Sequence, residues 1–311
     1  MINCDICYED VNEFKVCLNM CNGKYCFDCV NKIDNNKCPF CRRKLLSDEN
    51  LIQTKIFFNK LIIVRMNLNV LYVFDNLVEL NCTHNNLTTI PVFKNLKTLK
   101  CSYNFITSIS LMKKLKTIDC SFNNIKTIPL FPVLENFECD FNQLEEIPLM
   151  KKLKSLKCSD NNLIVLPLFP VIEYIDVSYN FITKIKKYQK LTHFNISNNF
   201  ISAVPIMKQL IYLDCSYNNM KRLYIQPSVE FLFCSYNKLK RIHTKINKIK
   251  LLECYNNEIS YIIGFKHLVE LDCRDNNCTL LKDMPKLTEL YCKGNGYLDI
   301  INCDNINKIK Y

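Results

Sequence analysis

Eight of the twenty cysteines fall in the first 41 residues, at Cys4, Cys7, Cys17, Cys21, Cys26, Cys29, Cys38 and Cys41. Their pattern is C-x2-C-x9-C-x3-C-x4-C-x2-C-x8-C-x2-C. A C-x2-C turn offers two thiolates from one knuckle, and a structural zinc takes four such ligands in a tetrahedron at about 2.3 Å. Eight ligands in this order predict two closed sites holding two zinc ions, with no coordination position left for water or substrate. A segment of roughly 45 residues with few large apolar groups cannot hold a core unaided. Metal binding, on the order of 10 kcal/mol per structural site, would supply most of its folding free energy. The last knuckle reads KCPFCRR, residues 37–43. An arginine directly behind the final ligand is either a solvated charge or part of a working edge.

This stretch resembles the RING finger in its eight-cysteine variant, where cysteine replaces the usual histidine at the fourth ligand. LIM and FYVE modules also use eight ligands, but the short C-x8-C-P-F-C ending fits RING better. The resemblance implies a cross-brace: Cys4, Cys7, Cys26 and Cys29 on one zinc, Cys17, Cys21, Cys38 and Cys41 on the other. Many members carry a histidine just before the fifth ligand; Gly23 and Lys24 stand there, and Cys21 is the substitute. RING domains bind a ubiquitin-loaded conjugating enzyme and hold its thioester in a reactive pose. That is a positioning effect without a covalent intermediate. By this likeness Ile6, Ile33 and Pro39 would contact the conjugating enzyme. Arg42 matches the linchpin arginine, whose planar fork can hydrogen-bond ubiquitin and enzyme together. Each residue also has a plain role: Ile6 and Ile33 pack the small core, Pro39 shapes the turn, and Arg42 is solvated.

The rest of the chain must position whatever this tip acts on, and it repeats. LVELNCTHNNLTTIP, LKTLKCSYNFITSIS and LKTIDCSFNNIKTIP share the form L-x-x-L-x-C-x-x-N-x-Φ-x-x-Φ. Asparagines recur at 85, 104, 123, 142, 161, 180, 199, 218, 237, 257, 276 and 295, a step of nineteen with a single twenty. Twelve such units resemble a leucine-rich repeat solenoid. Leu80 and Cys82 alternate with polar neighbours, so a short strand turns them inward. Each asparagine can donate and accept at once, which suits it to bond the backbone of its own turn and of the next coil. Ten of the remaining cysteines fill one repeat position, where Val177 and Ile196 take the other two places. A position that accepts valine and isoleucine wants a small apolar group, and free cysteine packs as one. Nineteen residues leave too few for a helix on the return arm, and Pro91, Pro129, Pro148, Pro167 and Pro205 agree with an extended one. The nearest likeness is to the short, proline-marked repeats of bacterial effector ligases.

The predicted fold is therefore a small zinc-bound RING (cross-brace, α+β) over residues 1–46. A helical cap and degenerate first coil follow at 47–76, where SDENLIQTKIFFNKL begins with capping residues. Residues 77–311 form an α/β-type solenoid with a parallel concave sheet and a mostly extended convex face. Outward on its strands, just before the cysteine, come Asp119, Glu138, Asp176 and Asp214. Two places after the cysteine runs an aromatic row: Tyr103, Phe122, Phe141, Tyr179, Tyr217 and Tyr236. Carboxylates beside aromatics suit a basic, partly apolar protein segment, because aromatic anchors carry much interface energy. The same residues fit a plainer reading, in which S-Y-N and S-F-N serve the turn and acids keep the face soluble.

Composition narrows the function classes. The 311 residues are 49% hydrophobic and 23% charged, with four glycines and no tryptophan. Thirty-five lysines against six arginines look more like AT-rich coding bias than selection for basic chemistry. Residues 51–311 hold 34 Lys/Arg and 22 Asp/Glu, formally +12, yet the strand columns do not show the basic stripe a nucleic-acid partner needs. No apolar run approaches the roughly 18–20 residues of a membrane helix. The cysteine pattern starts at Cys4, which leaves no room for a signal peptide, and a periodic column of unpaired thiols needs a reducing compartment; the expected location is intracellular, cytoplasmic, without membrane contact. The four histidines are scattered, and neither H-E-x-x-H nor a phosphate-cradling glycine loop occurs. The sequence thus predicts a RING-type ubiquitin ligase whose repeats recruit a target protein for transfer from the conjugating enzyme. The alternative is a non-enzymatic interaction scaffold with a structural zinc finger.

Overall fold

The computed structural model describes residues 59–71, 77–242 and 248–310, together with the backbone of His243 and of short strands at 2–3, 10–11, 14–16, 24–26 and 54–57. The chain divides into two units, residues 1–143 and 144–311. In the first unit Ile2–Asn3 pairs antiparallel with Asp10–Val11, and Phe14–Val16 with Lys24–Cys26. That second pair ends on one predicted zinc ligand, Cys26. The other seven, and Ile6, Ile33, Pro39 and Arg42, lie outside the described residues.

Nineteen residues make one coil because the strand register repeats at that step. In the first unit Lys60 pairs with Glu79, Glu79 with Thr98 and Thr98 with Thr117, all parallel. In the second, Ser155, Tyr174, His193, Tyr212 and Phe231 follow at the same interval, and the next step, to Leu251, is twenty. In this register the strands from Glu79–Asn81 to Glu289–Tyr291 are three residues long with the middle residue buried, as in Tyr174–Asp176. Leu80, Leu99, Ile118 and Phe137 fill that place in the first unit; Leu156, Ile175, Phe194 and Leu213 fill it in the second.

The asparagines close the coils. Asn104 Nδ2 donates to Cys101 O of its own turn and to Cys82 O of the preceding coil, both at 3.0 Å, while its Oδ1 accepts from Leu87 N at 3.0 Å. The partner coil is the preceding one rather than the next. Each bond satisfies a backbone group that burial would otherwise orphan. Behind the ladder, Phe93, Met112 and Phe131 are buried in the first unit, and Phe169, Tyr188, Met207, Phe265 and Met284 in the second. Gln226 breaks this apolar column without leaving polar atoms stranded: Oε1 accepts from Met207 N at 2.6 Å and Nε2 donates to Pro205 O at 3.2 Å.

Two expectations are corrected. A short helix was expected within residues 47–76; instead Thr54–Phe57 forms a hairpin with Lys60–Ile63, which then lies beside Glu79–Asn81. Open strand edges offer unpaired N–H and C=O groups, and a neighbouring apolar segment answers them better as a strand. The coil after this hairpin is the degenerate first repeat: Met66 replaces the asparagine, and its N–H donates to Asn85 Oδ1 at 3.0 Å. The second correction is to the α/β-type assignment, since the described elements are all strands. The return arms carrying proline form no continuous ladder. From residue 223 the matching places hold Tyr224, His243, Ile263, Lys282 and Ile301, and there a second, five-stranded parallel sheet forms. Proline lacks the N–H such a ladder needs.

Candidate protein-binding face

The outward positions of each strand frame a face whose chemistry changes along the chain. The third strand residue turns the backbone as well as facing outward. Asp176 Oδ1 accepts from Ser178 N at 3.0 Å and Ser178 Oγ at 2.8 Å, and its Oδ2 accepts from Asn195 Nδ2 at 3.1 Å. Asp214 Oδ1 accepts from Ser216 N at 3.0 Å, and Asp119 Oδ1 from Ser121 N at 3.2 Å. These are Asx-type bends. Glu138 occupies the same strand place. The predicted acidic column therefore has a structural role beside any binding role.

The predicted aromatic row does not lie on the strands. Tyr103, Phe122, Phe141, Tyr179, Tyr217 and Tyr236 occupy the bend just before each ladder asparagine, with φ between +52° and +56°. Bulky residues enter this left-handed region at a cost of roughly 1–2 kcal/mol each. Other coils fill the same place with Asp160, Asn198, Asn256, Asp275 and Gly294, which accept it readily. Turn geometry thus disfavours the aromatics, against the plainer reading that they serve the bend. The six are 36–56% exposed, and all but Tyr179 partly offset the strain by stacking. Tyr103 lies 4.2 Å from His84 and from Phe122, and Phe122 lies 4.3 Å from Phe141. In the second unit Tyr217 and Tyr236 stack at 4.1 Å.

A second aromatic row, on the strands themselves, was not read from the sequence. Tyr174, His193, Tyr212 and Phe231 hold the first outward position of four adjacent strands. Ring centroids are 6.1 Å apart from Tyr174 to His193 and from His193 to Tyr212, and Tyr212 lies 5.3 Å from Phe233. The signal was available: an aromatic two residues before the acidic column at the nineteen-residue step. Beside this row stand Asp176, Asp214 and Glu253, none with an ion-pair partner among the described residues. Burial first, then neighbouring carboxylates, push the Asp214 and Glu253 acids above their ordinary values.

The buried cysteine column is chemically quiet. Cys82, Cys101, Cys120, Cys215, Cys234, Cys254 and Cys273 are 0% exposed, and Cys82 Sγ donates to Lys100 O at 3.5 Å. Burial raises the Cys82 thiol to about 12, which keeps it protonated. Among the described residues no helix is long and apolar enough to cross a membrane.

Parallel three-residue strands, an asparagine ladder and a nineteen-residue step define a leucine-rich repeat solenoid. A family model for leucine-rich repeats, in two copies, matches residues 94–133. No curated protein matches the chain. Among solved structures it is similar to YopM from Yersinia enterocolitica WA-314, at 25% identity and TM-score 0.69, over 78% of this chain and 62% of that one. It is also similar to the functional domain of InlJ from Listeria monocytogenes, which includes a cysteine ladder, at 23% identity and TM-score 0.68, over 82% and 66%. A third is the plant peptide hormone receptor RGFR1 in complex with RGF2, at 19% identity and TM-score 0.53, over 76% and 51%. The chain spans less than two thirds of the length of each of these three.

Proposed function

We propose that the repeats hold a protein partner on their strand face, which makes the chain an interaction scaffold. The observation that carries this is the row Tyr174, His193, Tyr212 and Phe231 beside the carboxylates of Asp176 and Asp214, which have no ion-pair partner among the described residues. Aromatic rings with partly exposed faces supply anchor area at low entropic cost, and flanking charges set register. The complex of RGFR1 with RGF2 is a precedent on a similar fold. A photo-crosslinking residue at position 212 should capture a partner that the same residue at position 168, on the return arm, does not. Capture from 168 alone, or equally from both, would sink the reading.

A second reading adds enzyme chemistry at the amino-terminal end. Eight cysteines at RING spacings, with Ile6, Ile33, Pro39 and Arg42 in matching places, support a module that binds two zinc ions and a ubiquitin-loaded conjugating enzyme. The scaffold would then present its bound target's lysine for transfer. The full chain, mixed with ubiquitin, activating enzyme and a panel of conjugating enzymes, should build ubiquitin chains that Arg42→Ala and Ile6→Ala abolish. It should also carry two zinc ions per chain. No ubiquitin transfer with any conjugating enzyme would leave the scaffold reading alone.

A further inference from the structure

One coil of the second unit fills a cation site with its own side chain. Arg274 Nε donates to both carboxylate oxygens of Asp272, at 2.9 and 3.1 Å, and Nη2 donates to Oδ2 at 2.6 Å. The guanidinium carbon lies 5.3 Å from the Tyr255 ring centroid and 6.0 Å from that of Tyr291. Asp272 pairs in register with Tyr291, so the carboxylate and the second ring come from adjacent strands.

Three coils earlier the same register recurs with Ser216 in place of Arg274, Phe233 in place of Tyr291 and Ser197 in place of Tyr255. Asp214 pairs with Phe233 as Asp272 pairs with Tyr291. Ser216, two residues after Asp214, stands where Arg274 stands after Asp272. A small hydroxyl thus replaces the guanidinium, and Asp214 has no ion-pair partner among the described residues. Its acid is pushed up by burial and by Asp176, so an incoming cation would relieve an existing cost. Tyr212 lies on the same strand, 5.3 Å from Phe233, and its row continues through His193 to Tyr174.

We propose that Asp214 and Phe233 form a receptor for an arginine side chain of the partner protein, whose guanidinium lies over Ser216 as Arg274 lies in its own coil. This rests on the strand face being the protein-binding face. Arginine fits better than lysine because its planar fork bonds a carboxylate through two N–H groups while its face covers an aromatic ring. The apolar neighbours of that arginine lie along Tyr212, His193 and Tyr174. Carboxylates here disfavour a phosphate backbone.

A displayed library of random dodecapeptides, selected on the full chain, tests the inference, with winners measured by fluorescence anisotropy. Recovered peptides should share an arginine, and citrulline in its place should weaken binding at least tenfold. Asp214→Asn should cost as much. Ser216→Arg, which supplies the guanidinium from within, should abolish binding while the thermal unfolding temperature is kept or raised. Binders weakened by Tyr212→Ala that lack arginine, or that ignore Ser216→Arg, overturn the arginine receptor and leave the strand face as a binding face. A library giving no binder, or none sensitive to Tyr174→Ala and Tyr212→Ala, sinks both.

Discussion

Residues 77–143 and 144–311 share one frame and carry different faces. In the first stretch, the strands open outward with Glu79, Thr98, Thr117 and Asn136. No strand there carries an outward ring; His84, Tyr103, Phe122 and Phe141 stand in the left-handed bends instead and close on one another at 4.2–4.3 Å. In the second stretch Tyr174, His193, Tyr212 and Phe231 stand on the strands. Their spacing reaches 6.1 Å. A ring stacked on both sides offers only its edge to a partner, while wider spacing leaves part of each face open. The outward positions add little to the core, so they can vary from coil to coil while the nineteen-residue frame stays fixed. Function has room to differ there.

The largest expected effect tests whether the frames are equal. Asn123→Ala and Asn199→Ala each remove bonds to buried backbone groups, including Ile106 N at 2.9 Å and Ile182 N at 2.9 Å. Each orphaned group costs about 1–3 kcal/mol, so both variants should lose roughly 3 kcal/mol in urea unfolding. A small loss in one region alone would break the shared frame. Next comes binding. Tyr174→Ala combined with Tyr212→Ala should weaken the partner at least tenfold by calorimetry, whereas Phe122→Ala should leave affinity unchanged.

A smaller effect separates strain from stacking. Tyr179 and Phe122 share the left-handed bend, but only Phe122 has ring neighbours at 4.2 and 4.3 Å among the described residues. Tyr179→Asn should therefore stabilise by up to about 1 kcal/mol. Phe122→Asn should be near neutral, because the lost stacking, about 1 kcal/mol, offsets the relief. Equal gains would mean the stack contributes nothing. The smallest effect depends on pH. Burial raises the folded-state value of the Asp214 acid, so the folded chain holds that proton more readily than the unfolded one. Stability from this group is then lost as pH rises through the raised value. Asp214→Asn should raise the melting temperature at pH 7, and the gain should vanish in acid below the ordinary carboxylate range. A gain that persists in acid would point to packing instead of charge.

Much of the frame was legible in the residues. The step of nineteen fixed the strands, and the tolerance of valine and isoleucine in the cysteine column predicted its burial. The segment around Ile56 and Phe57 was not legible, because its apolar spacing suits a helix as well as a strand and only the edge of Lys60–Ile63 decides between them. The face was half legible. Asp176 and Asp214 stood out as charges in a column, but their bonds to Ser178 and Ser216 belong to a bend the sequence does not display.

The sequence by itself determined the period, the inward residues and the asparagine ladder, since each follows from local spacing repeated twelve times. It also set eight cysteines at zinc-ligand spacings near the amino terminus. Only the tertiary structure decided which outward residues meet. Asp214 and Phe233 are nineteen residues apart in the chain and become neighbours because parallel coils bring equal positions side by side. The left-handed bend is decided there too, because its φ is imposed by the ladder bonds on either side and prevails over the preference of a bulky side chain.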